Sequence, residues 1–395
     1  MKTHAALLFL MTSSIALADG SRLPSQDALA VARGYAYTAT ADDPSAVYYN
    51  PAGLGQQLSG DVEAGVSFIT PSSSYSGPAG TASTKKQTFA LPYFYAAQPV
   101  YPLGGLVLGV GVYAPFGLST EWPGDGPFRT IATKNTLTFV RTAFSVGYDF
   151  KNGIMIGASI QDNSLKADLN RGLGYAPGDY LNYTGRDDNA WSYNLGLIWR
   201  PSPQHSFGLT YQSQTTFNLA GTVTLSPPVG VSAPGTAQWL FPSNFALGYS
   251  YRPTPEWNFE VGYDQTNWSA FKTVTLNSAA TGPLPLVFNW KESAYYGAGL
   301  TRYVGSWHYS AGVNYSANSV NDSTWTPSVD DYGKWLLNGG VGLKVDSWNL
   351  ETALQWSPPE SRTVTGSPYS AAGQTADGTY RNTLWGLMLQ AAYRW

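Results

Sequence analysis

Few residues in this chain have the chemistry to act on a ligand, and they are scattered. There are three histidines and no cysteine. His205 and His308 each stand beside a predicted short turn, without partners at metal-ligand spacing, so no metal centre is expected. Asp and Glu residues fall mainly in predicted loops or on polar strand faces, where solvated charge explains them. No catalytic residue and no cofactor are assigned. The basic residues Lys166 and Arg171 near 153–168, and Lys291 within 285–303, are better placed. A cation in an otherwise apolar pocket offsets the cost of burying a ligand carboxylate.

Two backbone features stand out. Ala114-Pro115-Phe116-Gly117 interrupts an alternating stretch that begins near residue 104. Pro115 has no N–H for a ladder, and Gly117 permits a bend. The interruption reads either as a bulge near a sheet's outer rim or as an inward kink that opens a gap between neighbouring strands. The other feature is DDPSAVYYNPAGL, Asp42 to Leu54. Asp43 and Pro44 suit a helix start, and Pro51 drives Asn50 out of the α region. Ser25 to Arg33 reads as another short helix, capped by Ser25 and stopped by Gly34.

These features need elements to position them, and the rest of the chain supplies strands. Met1 to Ala18 has Lys2, a short apolar run and Ala16-Leu17-Ala18 as a small-x-small cleavage site, which predicts an export signal. No later stretch reaches the roughly 20 apolar residues of a spanning helix. Charged residues are only 12% of the chain and aromatics 14%, with 42 glycines. That balance is poor in charge for a soluble surface and suits a wall facing lipid. The near-neutral net charge argues against a nucleic-acid partner. From Asp61 onward the period is two. Trp191, Tyr193, Leu195, Leu197 and Trp199 alternate with mostly small or polar residues, as do Trp257, Phe259, Val261 and Tyr263 with Asn258, Glu260, Gly262 and Asp264.

Fourteen strands are expected, near 61–70, 87–98, 104–118, 135–150, 153–168, 189–200, 205–219, 236–252, 256–276, 285–303, 305–318, 333–346, 347–361 and 380–395. Long polar connections (71–86, 119–134, 169–188, 220–235, 277–284, 319–332, 362–379) alternate with short turns. That is the arrangement of an even transmembrane barrel with both ends in the periplasm. The fold class is therefore all-β: a 14-stranded antiparallel transmembrane β-barrel plugged by a small, partly helical N-terminal hatch. The expected divisions are a signal peptide at 1–18, the hatch at 19–58 and the barrel at 59–395.

Four stretches together resemble the FadL-type outer-membrane transporters of long-chain fatty acids and other hydrophobic compounds. They are Asn50-Pro51-Ala52, which looks like that family's NPA hatch element; PFGLSTEW (Pro115–Trp122); Phe241 to Phe271 with PEW and NWSAF; and NWKESAYYGAGL (Asn289–Leu300). The resemblance implies passive uptake with no energy source. It places Arg171 and Lys291 on the family's two carboxylate-binding positions, through SLKADLNR and NWKESAYY. It makes Pro115, Phe116 and Gly117 a strand-three kink that opens laterally toward the bilayer. The hatch end at Asn50, Pro51 and Ala52 is expected to satisfy the backbone groups which that kink frees. Capture is expected between loops 119–134 and 169–188. The chain departs from fatty-acid members in lacking a Phe near its mature start, and importers of aromatic hydrocarbons share the scaffold. A general porin and a Ser–His outer-membrane phospholipase are the rivals from other classes. Expected partners are a hydrophobic ligand, outer-membrane lipids and lipopolysaccharide, and the barrel-assembly machinery through a C-terminal strand ending in Trp395. A monomer is expected.

Overall fold

In a computed structural model that describes residues 20–369 and 374–395, fourteen antiparallel staves form a closed wall. The signal-peptide stretch lies outside the described residues. Each stave pairs with the next in sequence, and the last, Gly378–Arg394, returns to pair with the first, Asp61–Gly77, from Asp61↔Arg394 to Ser76↔Thr379. Closure leaves no edge strand, so along most of the wall the backbone finds partners where lipid offers none. No described helix is long and apolar enough to cross a membrane.

Alternation sets the two faces. On the outside, Trp191 and Trp199 are exposed on the sixth stave, Leu181–Ser202. Trp385 and Tyr393 are exposed on the fourteenth. In both pairs the rings are eight residues apart. At about 3.3 Å per residue along a tilted strand, that spacing fits two aromatic girdles around an apolar band roughly 25 Å tall.

Several staves run further than expected. Ile154–Arg171 and Leu181–Ser202 continue into the predicted 169–188 loop, and Thr215–Leu225 with Val231–Phe241 occupy most of 220–235. Beyond the girdle the outward face meets water and loses its apolar alternation, while the ladder itself persists.

Residues 20–58 run inside this wall. Asp27 caps helix α1 (Ala28–Ala32), its Oδ1 accepting from the Ala30 N–H at 2.5 Å. That displaces the expected cap two residues from Ser25, whose carbonyl instead accepts from Ser67 of the wall. Helix α2 (Ala46–Tyr49) ends at Asn50, and a 3₁₀ turn follows over Pro51–Gln56. The wall facing these turns is glycine. A Cβ on Gly157 would stand 2.2 Å from the Pro51 carbonyl carbon, and one on Gly196 2.2 Å from Asn50 Oδ1. Across the lumen a Cβ on Gly312 would stand 2.2 Å from the Arg33 carbonyl carbon. Only glycine lets the two backbones come this close.

Candidate ligand pathway

The third stave comes in two pieces, Leu106–Tyr113 and Gly117–Glu121. Against the fourth stave, Lys134–Asp149, its register passes from Tyr113↔Arg141 to Gly117↔Thr138, so three residues span the place of two. That is a one-residue bulge. On its other side the break is larger. The second stave, Phe89–Pro99, pairs with the third only from Phe94↔Val112 to Pro99↔Val107. Phe89 to Tyr93 keep their partners on the first stave but have none on the third. Above the gap the two strands meet again, where the Lys85 N–H donates to the Glu121 carbonyl at 3.0 Å. Ile69 is level with Phe89, and Thr70 with Trp385 of the girdle. The unpaired stretch therefore begins one residue below the outer aromatic girdle, at the height of the outer lipid leaflet.

The start of the N-terminal segment fills this break from within. The Leu23 N–H donates to the Pro115 carbonyl at 2.9 Å, and the Gly117 N–H to the Ser21 carbonyl at 2.8 Å. Arg22 and Phe116 face each other as an antiparallel bridge. Gln26 Nε2 donates to the Ala114 carbonyl at 2.6 Å. Leu23, fully buried, packs with Phe89 and Leu91 of the unpaired stretch. Arg22 is held in turn by a two-pronged ion pair to Asp264, at 2.5 and 2.6 Å.

The expectation that Asn50-Pro51-Ala52 would satisfy the kink is therefore corrected. Asn50 donates to the carbonyls of Thr38 and Leu197, and its Oδ1 accepts from the Ala52 N–H. These bonds and the glycines at 157 and 196 hold the triplet against the fifth and sixth staves. The residues that reach the kink are Ser21, Leu23 and Gln26, which carry no recognisable motif.

On the outer side of the clip lies a cavity of about 420 Å³. Aromatic rings make much of its wall: Phe271 and Phe288 have centroids 4.4 Å apart, Trp268 and Trp290 4.8 Å, and Trp239 reaches Phe288 at 5.8 Å. Leu118, Leu137 and Leu169 line it from the third, fourth and fifth staves, and Ser21 from the clip. Among the described residues Arg171 is the one charged member of its lining. Lys291 is exposed, adjacent to the lining residue Trp290 but outside the lining itself. Arg171 thus lines the outer cavity, the kink residues Pro115 and Phe116 line the inner chamber behind it, and Lys291 lies at the outer cavity's margin.

On the inner side of the clip is a smaller chamber of about 60 Å³. Arg22, Pro115, Phe116, Arg141, Asp264 and Tyr48 are among its walls. Phe116 separates the two spaces. It packs on Phe139, Phe241 and Trp268, the last of which lines the outer cavity. Sequence reasoning missed Arg22, Leu23 and Arg141. Arg141 carried a legible signal: a lone cation sharing the inward face with Leu137, Phe139 and Ala143.

The two loops expected to capture ligand do meet. Arg129 pairs with Asp179, and the Gly172 N–H donates to the Arg129 carbonyl at 2.6 Å. Burial raises the Asp179 carboxyl. The N–H groups of Ala176, Tyr175, Leu173 and Gly174 outweigh that and hold it down to about 2. Deeper in the lumen, Asp27, Asp43 and Glu63 bring carboxylate oxygens within 4.8 Å of one another. His205 and His308 sit away from these cavities. His205 pairs with Tyr249 at 2.8 Å and His308 with Glu351 at 2.9 Å.

Comparison with known proteins adds the following. A family model described as outer membrane protein transport protein (OMPP1/FadL/TodX) matches residues 9–395. A long-chain fatty acid transport protein of Escherichia coli O6:H1 is 20% identical over 392 residues, covering 86% of each chain. The crystal structure of a Pseudomonas aeruginosa FadL homologue superposes with TM-score 0.85 at 15% identity, covering 95% of this chain and 99% of that one. The Ralstonia pickettii toluene transporter TbuX superposes with TM-score 0.73 at 16% identity, covering 93% and 98%.

Proposed function

The chain belongs to the FadL/TodX family of outer-membrane transport proteins for hydrophobic compounds, and on that premise we propose that it takes up long-chain fatty acids and releases them sideways into the bilayer. Family members and structural neighbours are transporters and channels, not enzymes. The observation that carries the lateral route is the coincidence of an unpaired wall stretch, Phe89 to Tyr93, with a clip that closes it from inside.

The path has four steps. An amphiphile is caught between loops 119–134 and 169–188. Its chain settles among Trp239, Phe271 and Phe288 while Arg171 takes its carboxylate, with Lys291 at the entrance. The clip at residues 20–23 then lets go of the third stave, and Leu23 withdraws from Phe89 and Leu91. The tail slides out between the second and third staves. Uptake is passive. Residues 19–58 act as the hatch in the barrel of 59–395, after removal of 1–18. The last strand, ending in Trp395, addresses the chain to the assembly machinery, and the protein works as a monomer. A second reading, uptake of aromatic hydrocarbons, is favoured by the ring-lined cavity with its single charge.

Straightening the third stave tests the route. Pro115→Val with Gly117→Val restores a donor to the ladder and removes the bend. The double variant should assemble and still bind fatty acid, yet lose uptake of oleate. Normal uptake with a demonstrably straight strand would send the substrate through the hatch instead.

A further inference from the structure

Arg141 is 2% exposed and fully enclosed by the lumen, yet among the described residues no carboxylate lies within ion-pair distance of it. Its Nε donates to Asn163 Oδ1 at 2.6 Å, and a terminal nitrogen to Thr215 Oγ1 at 3.3 Å. The Tyr113 hydroxyl also meets the guanidinium; these three acceptors are neutral, and a guanidinium has five N–H donors to place. Its carbon stands 5.2 Å from the centre of the Phe139 ring, which stacks on Phe116. Taking a cation out of water costs several kcal/mol unless an anion accompanies it. The chamber it faces holds two other charged groups, Arg22 and Asp264, and these neutralise each other. The chamber therefore keeps one uncompensated positive charge. It lies directly behind Pro115 and Phe116, at the wall's unpaired stretch.

Resting on the uptake reading above, we propose that Arg141 is a second carboxylate station, which receives the ligand's headgroup after Arg171 has released it and holds it while the tail leaves through the wall. The chamber, about 60 Å³, is a small fraction of the roughly 420 Å³ outer cavity. It admits a carboxylate's three heavy atoms but not a coiled acyl chain, so the tail must lie elsewhere. The neighbouring break between the second and third staves is where it goes. Arg141 thus serves as a pivot: head held at the guanidinium, tail swinging from the outer cavity to the lipid. A neutral hydrocarbon gains nothing from this residue. The arrangement favours amphiphiles with a single carboxylate over neutral hydrocarbons, which pass without its help.

The test uses the full-length barrel loaded with [1-13C]palmitate, with correct folding checked by heat-modifiable mobility. In the wild type at saturation, two bound carboxylate resonances are expected. Arg171→Met should remove one and Arg141→Gln the other, and Arg141→Lys should shift the second without abolishing it. Cells carrying Arg141→Gln should take up palmitate at least about tenfold more slowly, the equivalent of one lost charge-assisted bond, and hexadecane at the wild-type rate. Both resonances surviving in Arg141→Gln would overturn the proposal. If that variant does not assemble, an unchanged spectrum in Arg141→Lys overturns it equally. Loss of wild-type uptake of both compounds, with the two resonances intact, would instead refute the transport reading and leave Arg141 as a ligand site.

Discussion

The two halves of the lumen are built on opposite principles. In the inner half the N-terminal segment packs Val47, Tyr49 and Leu54 on Tyr95 and Val107 of the wall and is fixed there by polar contacts and bare backbone. Glu260 accepts from the Ala39 N–H at 2.8 Å and from Thr40 Oγ1 at 2.5 Å, Arg252 pairs with Asp42 at 2.7 Å, and glycines admit the segment's turns. In the outer half aromatic rings surround an open cavity, with a single charge in its lining. Hydrogen bonds and ion pairs are directional and fix one geometry, whereas ring-lined space accepts many shapes. The inner half is a stopper and the outer half a store. The boundary between them is four residues long, and the proposed route places transport there.

The largest effect should come from filling the glycine contacts. Gly157→Val would drive a side chain into Pro51 and Ala52. Overpacking of this kind costs about 1–3 kcal/mol, more where backbone cannot retreat. The stopper should be pushed from its seat, and planar-bilayer recording should then show ion conductance that the wild type lacks. A silent variant would mean that something other than this packing seals the barrel.

A smaller change sharpens the outer half. Arg171→Met should weaken fatty-acid binding by at least about tenfold, the equivalent of a 1.5–3 kcal/mol charged hydrogen bond. Toluene binding should be unaffected. Lys291→Met should change fatty-acid affinity less, because an exposed ion pair is worth about 0–1 kcal/mol. Calorimetric titration of both ligands distinguishes these outcomes, and equal losses for the two ligands in Arg171→Met would reduce that residue to a wall element.

The smallest effect concerns the capture loops. The Asp179 carboxylate gathers four N–H groups of its own loop. Its folded value of about 2 lies below the ordinary 3.8. The order it confers is therefore complete above about pH 4 and lost as pH falls through 2. Hydrogen exchange in residues 172–180 should rise over that interval alone, and Asp179→Asn should show the acid behaviour at neutral pH.

The same contrast explains what could be read in advance. Membrane staves announce themselves, because lipid demands an apolar residue at every second position. Trp191 to Trp199 is legible for that reason. Once a strand leaves the lipid the demand lapses, and residues 181–187 look like loop while forming ladder. The bend at Pro115 was visible, since proline cannot donate. Its closure was not, because Leu23 N–H and Ser21 C=O are backbone groups that any residue supplies. Asn50-Pro51-Ala52 drew attention by its turn chemistry, yet its role in the structure is to seat the stopper among glycines. Those glycines were counted in the sequence, but their pairing across staves, as in Gly157↔Gly196, exists only once register is set.

The central claim is that the clip between residues 20–23 and the third stave must open for substrate to pass. The chain has no cysteine, so a single engineered disulfide can be switched cleanly. Arg22 and Phe116 face each other between the two clip hydrogen bonds. At such a non-hydrogen-bonded antiparallel pair the Cα atoms are about 4.5 Å apart, within disulfide reach. Oleate uptake by Arg22→Cys/Phe116→Cys should be abolished when the pair is oxidised and restored by reductant. Binding in the outer cavity should be the same in both states. Uptake at equal rates with the disulfide closed and open would contradict the account.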